Sequence, residues 1–116
     1  MWQIEAIPQF EKDRKWYEKK RPAELAAVLR NLDRYFEQLN SAPNPKAFMA
    51  GYMHTEPHGV VAIDQKGGGA NLQETRLYVY PHEERKVLYI ITIGNKDDQS
   101  SDVQFCSEFV KLHVND

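Results

Sequence analysis

The residues best suited to chemistry lie in two apolar runs and in the corner that follows them. Arg76 stands in Thr75-Arg76-Leu77-Tyr78-Val79-Tyr80, and Tyr89 in Val87-Leu88-Tyr89-Ile90-Ile91-Thr92-Ile93. A guanidinium binds phosphate through two parallel hydrogen bonds, and tyrosine rings stack on bases. Arg76 with Tyr78, Tyr80 and Tyr89 therefore has the makings of a nucleic-acid surface. The simpler reading is an arginine over tyrosine rings, or one paired with a nearby glutamate. The second run ends at Gly94, and Asn95-Lys96-Asp97-Asp98 follows at once. Either Lys96 grips a phosphate there, or the corner only turns a strand into a helix.

Three other groups invite a chemical reading. His54-Thr55-Glu56-Pro57-His58 alternates His, Glu and His, so an extended segment would bring all three to one face. That would suit metal ligands or an acid–base pair, but the spacing is not a zinc signature, and a turn or strand lead-in is the simpler expectation. Lys66-Gly67-Gly68-Gly69 lacks the spacing of a phosphate loop and reads as a mobile loop. Cys106 has no partner base and reads as a small buried apolar residue. No cofactor or metal is expected.

The elements that must position these residues are legible in part. Trp2 to Ala6 alternates apolar and polar side chains and predicts a short strand. Pro8 permits a helix start, and Phe10 and Tyr17 predict a first helix over 9–20, closed by Lys19, Lys20 and Arg21. Pro22 opens a second helix, with Leu25, Val28, Leu29, Leu32, Tyr35, Phe36 and Leu39 at helical spacing. Pro43-Asn44-Pro45 should stop it. Residues 46–58 give no clear signal. Gly59 to Ile63 predicts a strand, and residues 65–71 a flexible loop. Thr75–Tyr80 and Val87–Ile93 predict a hairpin joined through Pro81 to Arg85. Ser101-Asp102-Val103-Gln104 has capping-box form and predicts a last helix from about Ser101. The order is β-α-α-β-β-β-α, an α+β fold in which two helices cover one face of a small, largely antiparallel sheet.

If Tyr80 pairs with Val87 in the hairpin, Tyr78 faces Tyr89 and Arg76 faces Ile91. Leu77, Val79, Leu88 and Ile90 would then point at the helices. Arg76, Tyr78, Tyr80 and Tyr89 would lie on the other, partly open face.

Composition narrows the class. The chain has 116 residues, one domain by length, with 41% hydrophobic and 28% charged residues. No apolar run approaches the ~20 residues that span a bilayer, so no membrane partner is expected. The N-terminus has no secretory pattern, and the single cysteine allows no intrachain disulfide, so a cytoplasmic protein is expected. Net charge is −2. Residues 1–46 carry nine Lys/Arg against seven Asp/Glu, whereas residues 47–116 carry six against ten. The chain as a whole lacks the basic excess common in nucleic-acid binders.

The element order, with the core Arg76-Leu77-Tyr78-Val79-Tyr80 and Ile91-Thr92-Ile93-Gly94-Asn95-Lys96, resembles the RelE/ParE toxin superfamily. The resemblance is specific from Arg76 to about Val110. It implies a toxin of a type II toxin–antitoxin pair, with an antitoxin protein as partner. RelE-like members cleave ribosome-bound mRNA, and ParE-like members poison DNA gyrase. The RelE-like reaction is attack of a ribose 2′-hydroxyl on the adjacent phosphate. It needs a base, a cation for the transition state and an acid for the leaving oxygen. By resemblance Arg76 would steady the phosphate and Lys96 would be a second cation. Tyr78, Tyr80, Tyr89 and His58 would contact substrate, with His58 or Glu56 at the strand edge as a base. The family's lysines on the second strand would fall in Val60–Ile63, which has none. Its Tyr or His at the start of the last helix would fall near Asp102–Gln104, where neither occurs. Asp97, Asp98 and Asp102 instead surround Lys96 in sequence and would hold it in an ion pair. The alternative is a non-catalytic protein-binding module on the same fold.

Overall fold

Strand β5 (Val87–Asn95) is the middle of the molecule, and every residue between its two ends is buried. Its run of apolar residues shows no alternation because helices cover both faces of the sheet at this strand. A computed structural model describes residues 1–41 and 48–113 of the chain. The remaining elements are β1 (Gln3–Ala6), α1 (Pro8–Lys20), α2 (Pro22–Ser41), β2 (Met53–Thr55), β3 (Val61–Ile63), β4 (Thr75–His82) and α3 (Gln99–His113). Single 3-10 turns occupy Pro57–Gly59 and Lys96–Asp98. The expected stop at Pro43-Asn44-Pro45 lies outside the described residues.

The five strands lie in the order β1-β5-β4-β3-β2. β1 pairs with β5 in parallel, from Gln3 beside Val87 to Ala6 beside Ile90. The other three pairings are antiparallel. The α+β architecture is thus the expected one, with one strand added. β2 falls in the stretch that carried no sequence signal, because three edge residues are too few to set a period.

Local chemistry fixes the helices. Pro8 sits at the start of α1, where its missing N–H is not needed. Arg21, held out of the helical region by Pro22, ends α1, and its N–H bonds the Tyr17 carbonyl at 2.8 Å. α2 buries Leu25, Val28, Leu32, Tyr35 and Leu39 along one stripe. With Phe10 and Tyr17 of α1, these pack on Ile63, Leu77, Val79, Leu88, Ile90 and Ile93. Full burial of side chains such as Leu77 and Leu88 contributes roughly 1.5–3 kcal/mol each.

The opposite face is not open. Cys106 and Val110 of α3 pack with Tyr78, Tyr89, Ile91, Val60, Ala62 and Ile7 in a second core. Tyr78 and Tyr89 are 0% and 7% exposed. The two faces were assigned correctly, but the tyrosine face is roofed by the last helix.

The hairpin register also differs. Tyr80 faces Tyr89 and His82 faces Val87, because β4 runs two residues further, through Pro81 and His82. The shift is by two, so each side chain keeps its face. A bulge follows: Tyr78 pairs with Thr92 and Val79 with Ile90, which leaves Ile91 as the extra residue. Arg76 therefore faces Gly94, not Ile91.

The strand-to-helix corner is built by Asn95. Its side chain accepts from the Asp97 and Asp98 N–H groups at 2.9 and 3.2 Å. The Asp98 carboxylate accepts from the Asn95 N–H at 3.3 Å, which completes a reciprocal capping box. Ser101 is already inside α3 and donates to the Asp98 carbonyl at 3.0 Å. The cap expected from Ser101 and Gln104 is thus supplied one turn earlier by the residue that also ends β5.

Candidate functional site

β4 presents Arg76 to the α3 side, directly across from Gly94. Gly94 lacks a side chain, so the first turns of α3 come down on it. A Cβ placed on Gly94 would meet Asp102 Oδ2 at 2.0 Å and Asp98 Cβ at 3.1 Å. Beside this contact lies an open groove of about 400 Å³, lined by Glu56, Arg76, Gln99, Ser100 and Val103.

Two carboxylates flank the guanidinium. Arg76 Nη1 is 3.4 Å from Glu56 Oε2, and Nη2 is 3.4 Å from Glu74 Oε1. Gln99 Nε2 donates to the same Glu74 oxygen at 3.0 Å, which ties the start of α3 to the site. Each pair is single and long compared with a bidentate arginine–carboxylate fork. The Arg76 side chain remains 20% exposed.

Three buried polar atoms have no hydrogen-bond partner among the described residues: Arg76 Nε, Tyr78 Oη and Asp102 Oδ2. All three lie between β4, β5 and α3. Burial pushes the Tyr78 hydroxyl pKa upward, Asp102 and Glu56 add to the shift, and Arg76 opposes it. Burial also raises the Asp102 carboxyl to about 7, with further push from Asp98 and Asp13. Asp102 does not line the groove, and Arg76 is not among the causes of its shift. The burial of Asp102 follows from its close approach to Gly94, which no spacing rule in the sequence could have signalled.

Lys96 is exposed in the 3-10 turn and does not line the groove. The expected ion pair does not form: among the described residues no carboxylate bridges Lys96. Asp98 is committed to the Asn95 N–H, and Asp102 is turned inward over Gly94. Arg76 and Lys96 thus do not act on one point. Of the three tyrosines, Tyr80 alone keeps partial exposure on this face, with Gly59 close against its ring. Tyr78 and Tyr89 lie under α3, where bases do not reach them.

His54, Glu56 and His58 are not brought together. The strand ends at Thr55, and the chain turns through Pro57–Gly59, where His58 adopts a left-handed φ of 64°. His54 Nε2 lies 2.8 Å from Asp64 Oδ2, Glu56 joins Arg76, and His58 is exposed. No group of three His, Cys, Asp or Glu among the described residues is arranged to hold a metal.

The glycine loop is anchored where a mobile one was expected. Asn31, buried in α2, donates to the Asp64 and Lys66 carbonyls, both at 2.9 Å. Gly68 sits so close to α2 that a Cβ there would lie 2.3 Å from Ala27 Cβ. Cys106 is fully buried, which drives its thiol pKa upward and leaves it inert.

No family model, no curated protein and no solved structure matches this chain. No helix among the described residues is long and apolar enough to cross a membrane.

Proposed function

We propose that this chain is a RelE-type toxin that cleaves ribosome-bound mRNA, with Arg76 as the phosphate-binding residue. The observation that carries the reading is the Arg76 groove itself: a solvent-reaching guanidinium beside α3, with the Glu56 carboxylate in the same groove. In the reaction, the ribose 2′-oxygen attacks the adjacent phosphorus and gives its proton to a base. The bond to the 5′-oxygen breaks, and that oxygen takes up a proton, leaving a cyclic phosphate. Arg76 stabilises the charge that builds on the phosphate oxygens. Glu56 lines the groove beside Arg76 and is the carboxylate placed to accept the 2′-proton. The proton for the leaving 5′-oxygen comes from water, which the open groove admits. Lys96, exposed and unbridged, meets the substrate backbone outside the groove. Such a protein works in the cytoplasm with an antitoxin as its partner.

A second reading is favoured by a specific observation. Arg76 stands between two carboxylates, and Tyr78 and Tyr89 are buried. That arrangement suits a non-catalytic, protein-binding member of the same fold, as in ParE-like proteins.

Induced expression separates the two. The nuclease reading expects growth arrest, codon-positioned cuts in primer extension, and loss of both in Arg76→Ala. Arrest without cuts supports the binding module. Normal growth at good soluble expression overturns the toxin reading in either form.

A further inference from the structure

The first helix carries an exposed tryptophan in an unusual setting. Trp16 is 51% exposed, whereas Trp2, the other tryptophan, is 4% exposed. Residues three or four apart are neighbours on a helix surface, so Lys12, Asp13, Lys19 and Lys20 surround Trp16. The three lysines are exposed, and none forms an ion pair among the described residues. The acidic residues of the helix are already committed. Arg14 bridges Glu11 at 2.9 Å and also bridges Glu18. Asp13 accepts from Thr92 Oγ1 at 2.6 Å through one oxygen and from Gln9 at 3.0 Å through the other. Three unpaired lysines thus stand around the indole, and the one acid beside it, Asp13, has both oxygens occupied by Gln9 and Thr92. Tyr17 packs edge-on against the indole at 5.0 Å between ring centroids and limits its freedom.

We propose that this α1 face binds single-stranded RNA, with a base stacked on Trp16 and backbone phosphates on Lys12, Lys19 and Lys20. An exposed aromatic ring in a cationic surround is the arrangement that single strands use, because every base has a π-face and every residue a phosphate. RNA is the favoured strand, since its loops and bulges offer unstacked bases to such a ring. A duplex would offer phosphates but no face for the indole. The site is separate from the Arg76 groove: α1 packs through Phe10 and Tyr17 on the sheet face opposite α3. It stands or falls independently of the nuclease reading.

The test is a titration of the full chain with a short uridine-rich single strand, followed by tryptophan fluorescence and by anisotropy of labelled RNA. Trp2 is buried, so quenching reports Trp16. The expected result is salt-dependent binding with quenching. Trp16→Ala should weaken binding by roughly tenfold or more, the size of a lost stacked base. A Lys12→Ala/Lys19→Ala double variant should flatten the log–log salt slope by about 1.4, from the release of two counterions on a single strand. Lys111→Ala, an exposed lysine of α3, should leave this binding unchanged, which distinguishes the α1 face from a general loss of surface charge. Circular dichroism checks that both surface variants fold. No quenching at low salt, or equal binding by Trp16→Ala, overturns the proposal. So does tighter binding to polyglutamate, which would mark an acidic peptide as the partner, or to the matching DNA strand.

Discussion

Asp102 rests on Gly94, with its Oδ2 at 2.0 Å from where a Cβ on that glycine would stand. The contact joins the last helix to the central strand directly across from Arg76. It also explains why the carboxyl is buried enough to titrate near neutrality.

Gly94→Ala is therefore expected to displace Asp102 and destabilise the fold by about 1–3 kcal/mol, the usual range for overpacking. Asp102→Ala should relieve most of that loss. Urea unfolding of the two single variants and the double variant gives the coupling energy directly. Strict additivity would mean that the two residues do not meet in solution.

The pH dependence of stability has a definite sign. Unfolded Asp102 ionises near 3.8, and folded Asp102 near 7. Between those values the folded state binds more protons, so stability falls as pH rises through this window and levels off above it. The expected loss is about 1–2 kcal/mol for a carboxyl that solvent still partly screens. Asp102→Asn should remove this component. Unfolding midpoints at pH 5 and pH 8, compared between wild type and variant, measure it.

Releasing Arg76 should favour anions. Glu74→Gln removes one of the two carboxylates beside the guanidinium and leaves the groove-lining residues in place. Binding of inorganic phosphate, followed by chemical-shift changes at Arg76, should tighten several-fold. Arg76→Ala in the same background should abolish it.

The corner at the end of β5 makes two opposite forecasts. Asn95→Ala removes the cap and should cost about 1 kcal/mol, within the range for lost N-caps. Ser101→Ala lies inside the helix and should change stability by less than about 0.5 kcal/mol. Thermal melts of the two variants would exchange rank if Ser101 were the cap.

Asn31→Ala tests the anchor of the glycine loop. Two carbonyls at 2.9 Å would lose their donor, at an expected cost of about 1–3 kcal/mol. Hydrogen exchange of the amides around Gly68 should accelerate in the same variant.

Much of the fold could be read from residue patterns, for identifiable reasons. α2 carries its apolar residues at helical spacing, and β4 and β5 are dense in β-branched and aromatic residues. Their face assignment survived because the register error was two residues near the turn, and the bulge absorbed the odd residue beyond it. The bulge at Ile91 left no mark that a pattern could show. Two capping-box patterns overlap in this corner, Asn95 to Asp98 and Ser101 to Gln104, and local sequence does not rank them. The site was legible only at Arg76 and Glu56. Asp102 looked like one more surface acid, and its burial depends on a missing side chain eight positions earlier. Tyr78 and Tyr89 looked accessible because nothing in β4 or β5 announces the helix that covers them.

The parallel pairing of β1 with β5 imposes an order in time. Gln3 is made 84 residues before Val87, the residue it pairs beside. Until then the sheet lacks the strand that joins β1 to β4, and α1 and α2 lack much of their floor. A nascent chain therefore holds these apolar surfaces without a home until β5 has been made, and folding closes through contacts between distant segments. A chaperone, or any partner able to shield those surfaces, would meet the chain before its sheet exists.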